Sequence, residues 1–414
     1  MQGLLGIVVL IGIAWVISER RARVGWRLVI GGVALQFALA LLMLRAPLVS
    51  DVFELFARFV TGVIERSQAG IAFVFGSEIA SGGGDSIGFV FAFNVLPIII
   101  FFAALMGVLY HVKVMQVLIS GLAFLLRRTL GVTGAEALCM AANVFVGQTE
   151  APLTVKPLIE RMTRAQLMTL MVGGFATIAG SVLGAYTGML GGDDPERTVL
   201  FAKHLITASV ISAPAAFVMA RLLVPETQTP PDEGVTAIDE QSDDDELRAT
   251  NVIEAAAIGA TDGLKLALNV GAMLIAFLSL LALINWPLEA WTGLTLEALL
   301  GWALRPLAWL VGVEWSDAGI VGSLMGQKLL VTEFVAFGNL QSAIAQGTIS
   351  DRSAQICAYA LCGFANFGSL AIQIGGLSSI APGRRSEFAS LALRAMIGGA
   401  LASFMTACVA GVLL

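Results

Sequence analysis

Apolar runs of about twenty residues recur along the whole chain, and nothing constrains its fold more. A helix of about twenty residues crosses the hydrocarbon core of a bilayer. Inside that core each backbone N–H and C=O must be satisfied within the segment itself, so such runs are helices. The bias is global. Of 414 residues, 57% are hydrophobic and 13% charged, and mean hydropathy is +0.86. Typical soluble domains carry about 25% charged residues to coat their surface. The sequence therefore predicts an all-α polytopic membrane protein.

Eight runs read as transmembrane helices: 2–18, 28–44, 87–110, 165–190, 199–223, 262–285, 353–380 and 387–413. Three stretches, 50–66, 112–128 and 295–312, place charges beside strongly apolar faces and read as interfacial amphipathic helices. The first run precedes its basic cluster, SERRAR (18–23), the reverse of a secretory signal, and reads as a retained helix. SGGGD (81–85) reads as a flexible break. The segment 225–250, PETQTPPDEGVTAIDEQSDDDELRAT, holds much of the acid behind the net charge of −6 and reads as a solvated linker. On this topology Arg20, Arg21, Arg23, Lys113, Arg127, Arg128, Arg161, Arg164, Arg384 and Arg385 share one side, with Asp193 and Asp194 opposite. That is the positive-inside pattern with both termini outside.

Several function classes drop away. No basic patch interleaved with aromatics points to nucleic acid. Cys139, Cys357, Cys362 and Cys408 match no metal or redox spacing and read as small buried hydrophobes. His111 and His204 stand apart from other ligand types. No nucleophile and base pair, zinc motif or phosphate loop suggests an enzyme, so an intramembrane enzyme is a distant alternative.

Two segments break the simple pattern. Residues 133–162 start apolar, then carry Asn143, Gln148, Thr149, Glu150, Pro152, Lys156 and Pro157. Residues 316–345 carry Gln327, Lys328, Thr332 and Glu333. Neither would cross a bilayer as one helix, but each fits two half-helices meeting at a protein-enclosed tip. They also repeat one another. GQTE (147–150) is echoed by GQ (326–327) and TE (332–333), and GFATIAGS (174–181) by GFANFGS (363–369). With an odd number of crossings between them, the units are inverted repeats. Secondary transporters are often built this way, with the site at discontinuous helices near the midplane.

An ionised carboxylate at membrane depth costs at least a few kcal/mol and persists only with a partner or a task. Glu150 and Glu333 occupy matching hairpin positions. Each has a structural alternative, capping a half-helix or pairing with Lys156 or Lys328. Gln148, Thr149 and Glu150 offer donors and acceptors suited to a heterocycle edge, and Glu333, Asn366 and Ser369 suit vicinal hydroxyls. Asn366 and Ser369 also fit helix–helix hydrogen bonding, and Phe364 and Phe367 fit ring stacking or plain core packing. Asn143 and Thr177 supply oxygen ligands of the kind a small hard cation takes at a broken helix.

At these residues the chain resembles the concentrative nucleoside transporter family. VFVGQTEAPLTVKP (144–157), GGFATIAGSVL (173–183), GQKLLVTEFVAF (326–337) and CGFANFGSLAI (362–372) are similar to its signatures, in order, from about Gly88 to the C-terminus. The resemblance implies cation-coupled nucleoside import across a bacterial inner membrane by an elevator motion, with sodium favoured and protons the alternative. It implies a homotrimer surrounded by lipid and no cofactor beyond the coupling ion. By motif position, Gln148, Thr149, Glu150 and Val182 would meet the base. Glu333, Asn366, Ser369 and Phe364 would meet the ribose. Asn143, Val146, Thr177 and Ile178 would hold sodium, the valine and isoleucine through their carbonyls. Residues 1–110 with 262–285 (within a 251–285 segment) would form a scaffold, 111–223 and 286–414 the two transport repeats, and 224–250 a cytoplasmic linker. Three positions depart from the usual pattern: Thr332 where Asn is frequent, Thr177 where Ser is frequent, and Gly368 where Ser is common.

Overall fold

The structure is a computed structural model that describes residues 2–80, 90–192, 194–230 and 249–414. The SGGGD break, Asp193 and most of the acidic linker lie outside these residues. Helices and turns make up the described chain, with no strand among the described residues.

The chain opens with α1 (Gln2–Val16), α2 (Trp26–Arg45) and α3 (Pro47–Phe75). Then come α4 (Leu96–His111), α5 (Val114–Leu130) and α6 (Gly134–Asn143). Turns and a 3-10 segment (Ala151–Val155) lead to α7 (Arg164–Ala176), α8 (Gly180–Gly191) and α9 (Pro195–Leu223). The second half holds α10 (Val252–Thr292), α11 (Leu296–Leu310), α12 (Ala318–Leu330) and α13 (Glu333–Ala345). It ends with α14 (Asp351–Leu361), α15 (Phe367–Ile380) and α16 (Arg385–Leu413).

Among the described residues, six stretches are long and apolar enough to cross a membrane: Trp26–Arg45, Phe91–His111, Arg164–Gly191, Pro195–Leu223, Val252–Thr292 and Pro382–Leu413. Two expected spans take other forms. Residues 2–18 give only the 15-residue α1, and 353–380 is interrupted between α14 and α15. The run 165–190 is likewise broken at residues 177–179, between α7 and α8. Residues 50–66 lie inside the 29-residue α3, longer than the short helix expected. In α5 the buried residues Met115, Ile119, Ala123, Leu126 and Leu130 recur every three or four positions, while Val117 and Phe124 point outward, an amphipathic helix as the sequence predicts.

Hydrogen bonds show where the two polar segments begin and end. Thr133 caps α6 and Thr163 caps α7, and Gln166 Nε2 donates to Thr133 Oγ1 at 3.0 Å. The chain therefore returns at 163 to the place it left at 133. In the second half, the backbone N–H and the hydroxyl of Ser350 donate to Asp317 Oδ2 at 3.1 and 2.7 Å. Asn339 Nδ2 donates to Gln327 Oε1 at 2.6 Å, so α13 folds back on α12.

The two bases lie at opposite ends of α16, a 29-residue helix about 43 Å long at 1.5 Å per residue. At its start, Arg384 donates to the carbonyls of Glu160 (2.8 Å) and Met162 (2.9 Å). At its end, Arg352 donates to the carbonyls of Gly312 and Gly411, both at 2.7 Å. The folded-back segments are thus inverted with respect to this axis. The start of α16 also collects charge: Glu19 accepts from Arg164 at 2.9 Å and from Arg394. The Arg164 guanidinium holds the Glu19 carboxyl below its usual range. Both termini sit at the other end, where a Cβ on Gly3 would lie 2.5 Å from the Cys408 carbonyl and Arg45 donates to Leu413.

The central helices are α9 and α16. Of the apolar window of α9, 94% is buried, against 11% for α10, which packs mainly on α4 and leaves most of its length bare. The first two helices pack on this centre. Gln36 Nε2 donates to Thr406 Oγ1 at 3.0 Å, and Ser212 and Thr406 hydroxyls meet at 3.2 Å, tying α2 to α9 and α16.

At the base of the first folded-back segment, Arg221 pairs with Glu136 at 2.6 Å and Glu226 at 3.2 Å, and Thr163 Oγ1 donates to Glu226 at 2.7 Å. The Glu136 side chain is 1% exposed and that of Arg221 9%. Breaking a buried pair strands a charge and costs about 3–5 kcal/mol. We therefore expect Arg221→Met to lower the melting temperature of the purified protein, and Arg221→Met with Glu136→Gln to restore part of it. A melting curve that Arg221→Met leaves in place would contradict this account.

Candidate functional site

The local breaks position the polar groups. Thr332, in an extended conformation, caps α13 through a 3.4 Å hydrogen bond from the Val335 N–H. The threonine that departs from the family pattern thus acts as a helix cap. Glu333 is then the first helical residue, where the helix dipole favours an anion. It is 3% exposed. Its Oε1 accepts from the Tyr186 hydroxyl at 2.8 Å and its Oε2 from Asn366 Nδ2 at 2.7 Å.

Asn366 acts twice. It caps α15, with Oδ1 accepting from the Ser369 N–H at 2.7 Å, while its nitrogen holds Glu333. That cap requires the break after α14, where Gly363 adopts φ +133°. A Cβ there would lie 2.8 Å from the Phe175 carbonyl, so both conformation and space call for glycine. Phe364 is half-buried, and Phe367 is 46% exposed. A Cβ on Gly368 would meet Met273 Cε at 2.3 Å, so the usual serine would require this flexible side chain of α10 to shift.

Lys328 does not pair with Glu333. Its ammonium, fully buried, donates to the Ala360 carbonyl at 2.9 Å. Glu150 does not cap a helix. Its Oε2 accepts from the Gly147 N–H at 2.8 Å, and the side chain is exposed. Gln148 and Thr149 nest on two glycines: positions for a Cβ on Gly174 and Gly376 lie 2.8 Å from Gln148 Cβ and 2.7 Å from Thr149 Cγ2. This seats the first tip between α7 and α15.

The remaining candidates surround the break between α7 and α8. The Gly180 N–H donates to the Phe145 carbonyl at 2.8 Å, laying residues 177–180 beside 144–146. Asn143 is 1% exposed and its Nδ2 donates to the Cys139 carbonyl at 3.2 Å, which leaves Oδ1 buried without a partner. The Thr177 hydroxyl donates to the Gly173 carbonyl at 2.9 Å and keeps its lone pairs. A buried orphan oxygen, a hydroxyl and non-helical carbonyls at Val146 and Ile178 fit the ligand chemistry of a sodium ion.

Two helices relate these groups. Along α8, Gly180 touches the first segment and Tyr186 touches Glu333, six residues or about 9 Å apart, with buried Val182 between. Along α15, Ser369 and Gly376 are about 11 Å apart.

Two participants were not singled out from the sequence. Tyr186 looks like any aromatic in an apolar run, and only its partner Glu333 marks it. Gln373, 1% exposed, donates to the Met171 carbonyl at 3.0 Å; a polar side chain four residues after Ser369, on the same face of α15, was its only sequence signal.

Comparison with known proteins identifies the family. Family models described as the Na+ dependent nucleoside transporter N-terminus and C-terminus match residues 5–78 and 204–411, and one described as nucleoside recognition matches 92–193. An uncharacterized transporter of Haemophilus influenzae is 44% identical, over 99% of this chain and 97% of that one. Human sodium/nucleoside cotransporter 1 is 39% identical over 99% of this chain and 63% of its own length. The structure of CNTnw in an inward-facing substrate-bound state is 43% identical, with a TM-score of 0.90 over 99% of this chain and 96% of that one. The protein is therefore a multi-pass membrane transporter, not an enzyme, and belongs to the concentrative, Na+-dependent nucleoside transporter family.

Proposed function

We propose that the protein imports nucleosides across a bacterial inner membrane by sodium symport. The observation that carries the reading is the pairing of Glu333 with Asn366 and Tyr186, together with the orphaned Asn143 oxygen beside the break that α8 follows. Glu333, Asn366 and Ser369 hold the ribose, with Phe364 beside it. Gln148, Thr149 and Glu150 hold the base edge, and Val182 packs on it. Asn143, Thr177 and the carbonyls of Val146 and Ile178 hold sodium. The names of relatives support the ion and solute: human sodium/nucleoside cotransporter 1 is named for both.

Coupling then follows from linkage. Sodium and nucleoside stabilise the same arrangement of the first tip, because Asn143 and Val146 bear the ion and residues 148–150 the base. Each therefore raises the other's affinity by the same factor. Each charge moving inward contributes about 2.3 kcal/mol per 100 mV. Movement is elevator-like, with both folded-back segments and α7, α8, α9, α15 and α16 travelling as one body. The α4 and α10 pair forms the platform. The sequence grouped α1 and α2 with that scaffold; their packing on α9 and α16 supports placing them with the moving body instead. The bare face of α10 is the natural centre of a homotrimer, the remainder meeting lipid. Both termini face the periplasm, opposite the Glu19, Arg164 and Arg384 cluster.

Reconstituted protein should concentrate labelled uridine under an inward sodium gradient at fixed pH. Uptake that ignores sodium and follows a pH gradient would favour proton coupling instead. Removing the charge at Glu333 removes hydrogen bonds worth about 1.5–3 kcal/mol. Glu333→Gln is therefore expected to cut uptake by roughly tenfold or more at normal expression; wild-type uptake would take Glu333 out of the sugar site. Thr177→Ala should raise the sodium concentration for half-activation by roughly two- to tenfold, the range of one neutral polar contact. An unchanged sodium dependence would remove Thr177 from the ion site.

A further inference from the structure

Lys328 is fully buried, and the transport reading gives it no task. It stands near the end of α12. The echo of GQT (147–149) is GQK (326–328), so Lys328 takes the place of Thr149 in the second repeat. A buried ammonium is costly unless an opposite charge or aligned dipoles offset it. Glu333 is held by Tyr186 and Asn366 and makes no direct ion pair with it.

What Lys328 meets is the cut end of a helix. Its Nζ donates to the Ala360 carbonyl at 2.9 Å and stands 5.7 Å from the centre of the Phe404 ring of α16. Ala360 is the penultimate residue of α14. The last carbonyls of a helix lack intrahelical partners and form the negative end of its dipole. The Cys362 N–H turns back to the carbonyls of Ala358 and Tyr359, and the chain then swings away at Gly363. Lys328 therefore brings its positive charge to the carbonyl end of α14, with an aromatic face nearby.

The first repeat meets the same problem differently. GFAT (174–177) closes α7, and its echo GFAN (363–366) follows α14. At the first break Asn143 keeps a buried oxygen without a partner. At the second, Asn366 stands where Thr177 stands in the first, and its oxygen and nitrogen are both engaged. One break is open to a mobile cation, and the other holds a covalently attached one.

We propose that Lys328 is a positioning residue, a tethered cation that does permanently at the α14 break what sodium does reversibly at the α7 break. By holding the end of α14 it fixes the turn that carries Asn366 and, through Asn366, the orientation of Glu333. The second tip is thereby preformed, and ion dependence is confined to the first. The inference rests on the readings of the first break as the sodium site and of Glu333 as the sugar-binding carboxylate.

The test is equilibrium binding of uridine to purified wild-type protein, Lys328→Gln, Lys328→Ala and Glu333→Gln across a sodium titration, with and without methylammonium at matched ionic strength. Lys328→Gln keeps a donor and removes the charge, while Lys328→Ala leaves room for the small amine. At saturating sodium the uridine Kd is expected to rise roughly tenfold or more in both lysine variants, the range of one charged hydrogen bond. Methylammonium should recover part of that factor in Lys328→Ala and leave wild type unchanged, a rescue that a merely structural lysine would not give. Wild-type affinity in Lys328→Gln overturns the proposal, as does a loss in Lys328→Ala that methylammonium leaves untouched. Failure of both lysine variants to assemble marks a purely structural lysine and overturns it as well. If wild-type binding ignores sodium, the ion reading has failed, and if Glu333→Gln binds uridine normally, the sugar reading has failed. If wild type follows sodium, Glu333→Gln is impaired and both lysine variants bind like wild type, only the role of Lys328 has failed.

Discussion

The structure depends on keeping a carboxylate in an apolar interior without a direct ion pair. Glu333 achieves this with the Tyr186 hydroxyl, the Asn366 amide and the N-terminus of its own helix. These come from three elements, α8, α15 and α13, drawn from both repeats. Each donor exists only because a helix is interrupted. Asn366 caps α15 after the break at Gly363, and Glu333 begins α13 after the turn at Thr332. Moving any of these breaks by one residue would rotate the donors away from the carboxylate.

The same logic explains the first half of the site. Breaking a helix inside a membrane exposes backbone groups that must find partners. At residues 177–180 one of them, the Gly180 N–H, finds the Phe145 carbonyl of the neighbouring break. The two interruptions satisfy each other, and Asn143 is left with a buried oxygen that only a cation, water or other donor can complete. Polar oxygen chemistry is thereby concentrated beside the tip that carries Gln148, Thr149 and Glu150.

Much of this was legible in the sequence. Run length gave the spanning helices, and polar residues at the centres of two apolar stretches marked the segments that fold back. The echo of GFATIAGS in GFANFGS marked matching positions in the two halves. The breaks inside those echoes were less visible, because GFATIAGS and CGFANF remain apolar enough to continue a helix. What interrupts them is tertiary: a neighbouring carbonyl at Phe145, a cap from Asn366, and the close approach of Phe175 to Gly363. Pairings across 147 residues, such as Tyr186 with Glu333, leave no local pattern at all. Sequence gave Glu150 and Glu333 equal standing, whereas one is exposed at a tip and the other sealed in a network.

The central claim is that one arrangement of these broken helices binds ion and solute together. It is tested most directly by equilibrium binding of uridine to the purified protein across a sodium titration at constant pH and ionic strength. The account predicts an affinity that rises with sodium until the ion site fills, and a sodium affinity that rises by the same factor with uridine. Uridine binding that is the same with and without sodium would contradict it.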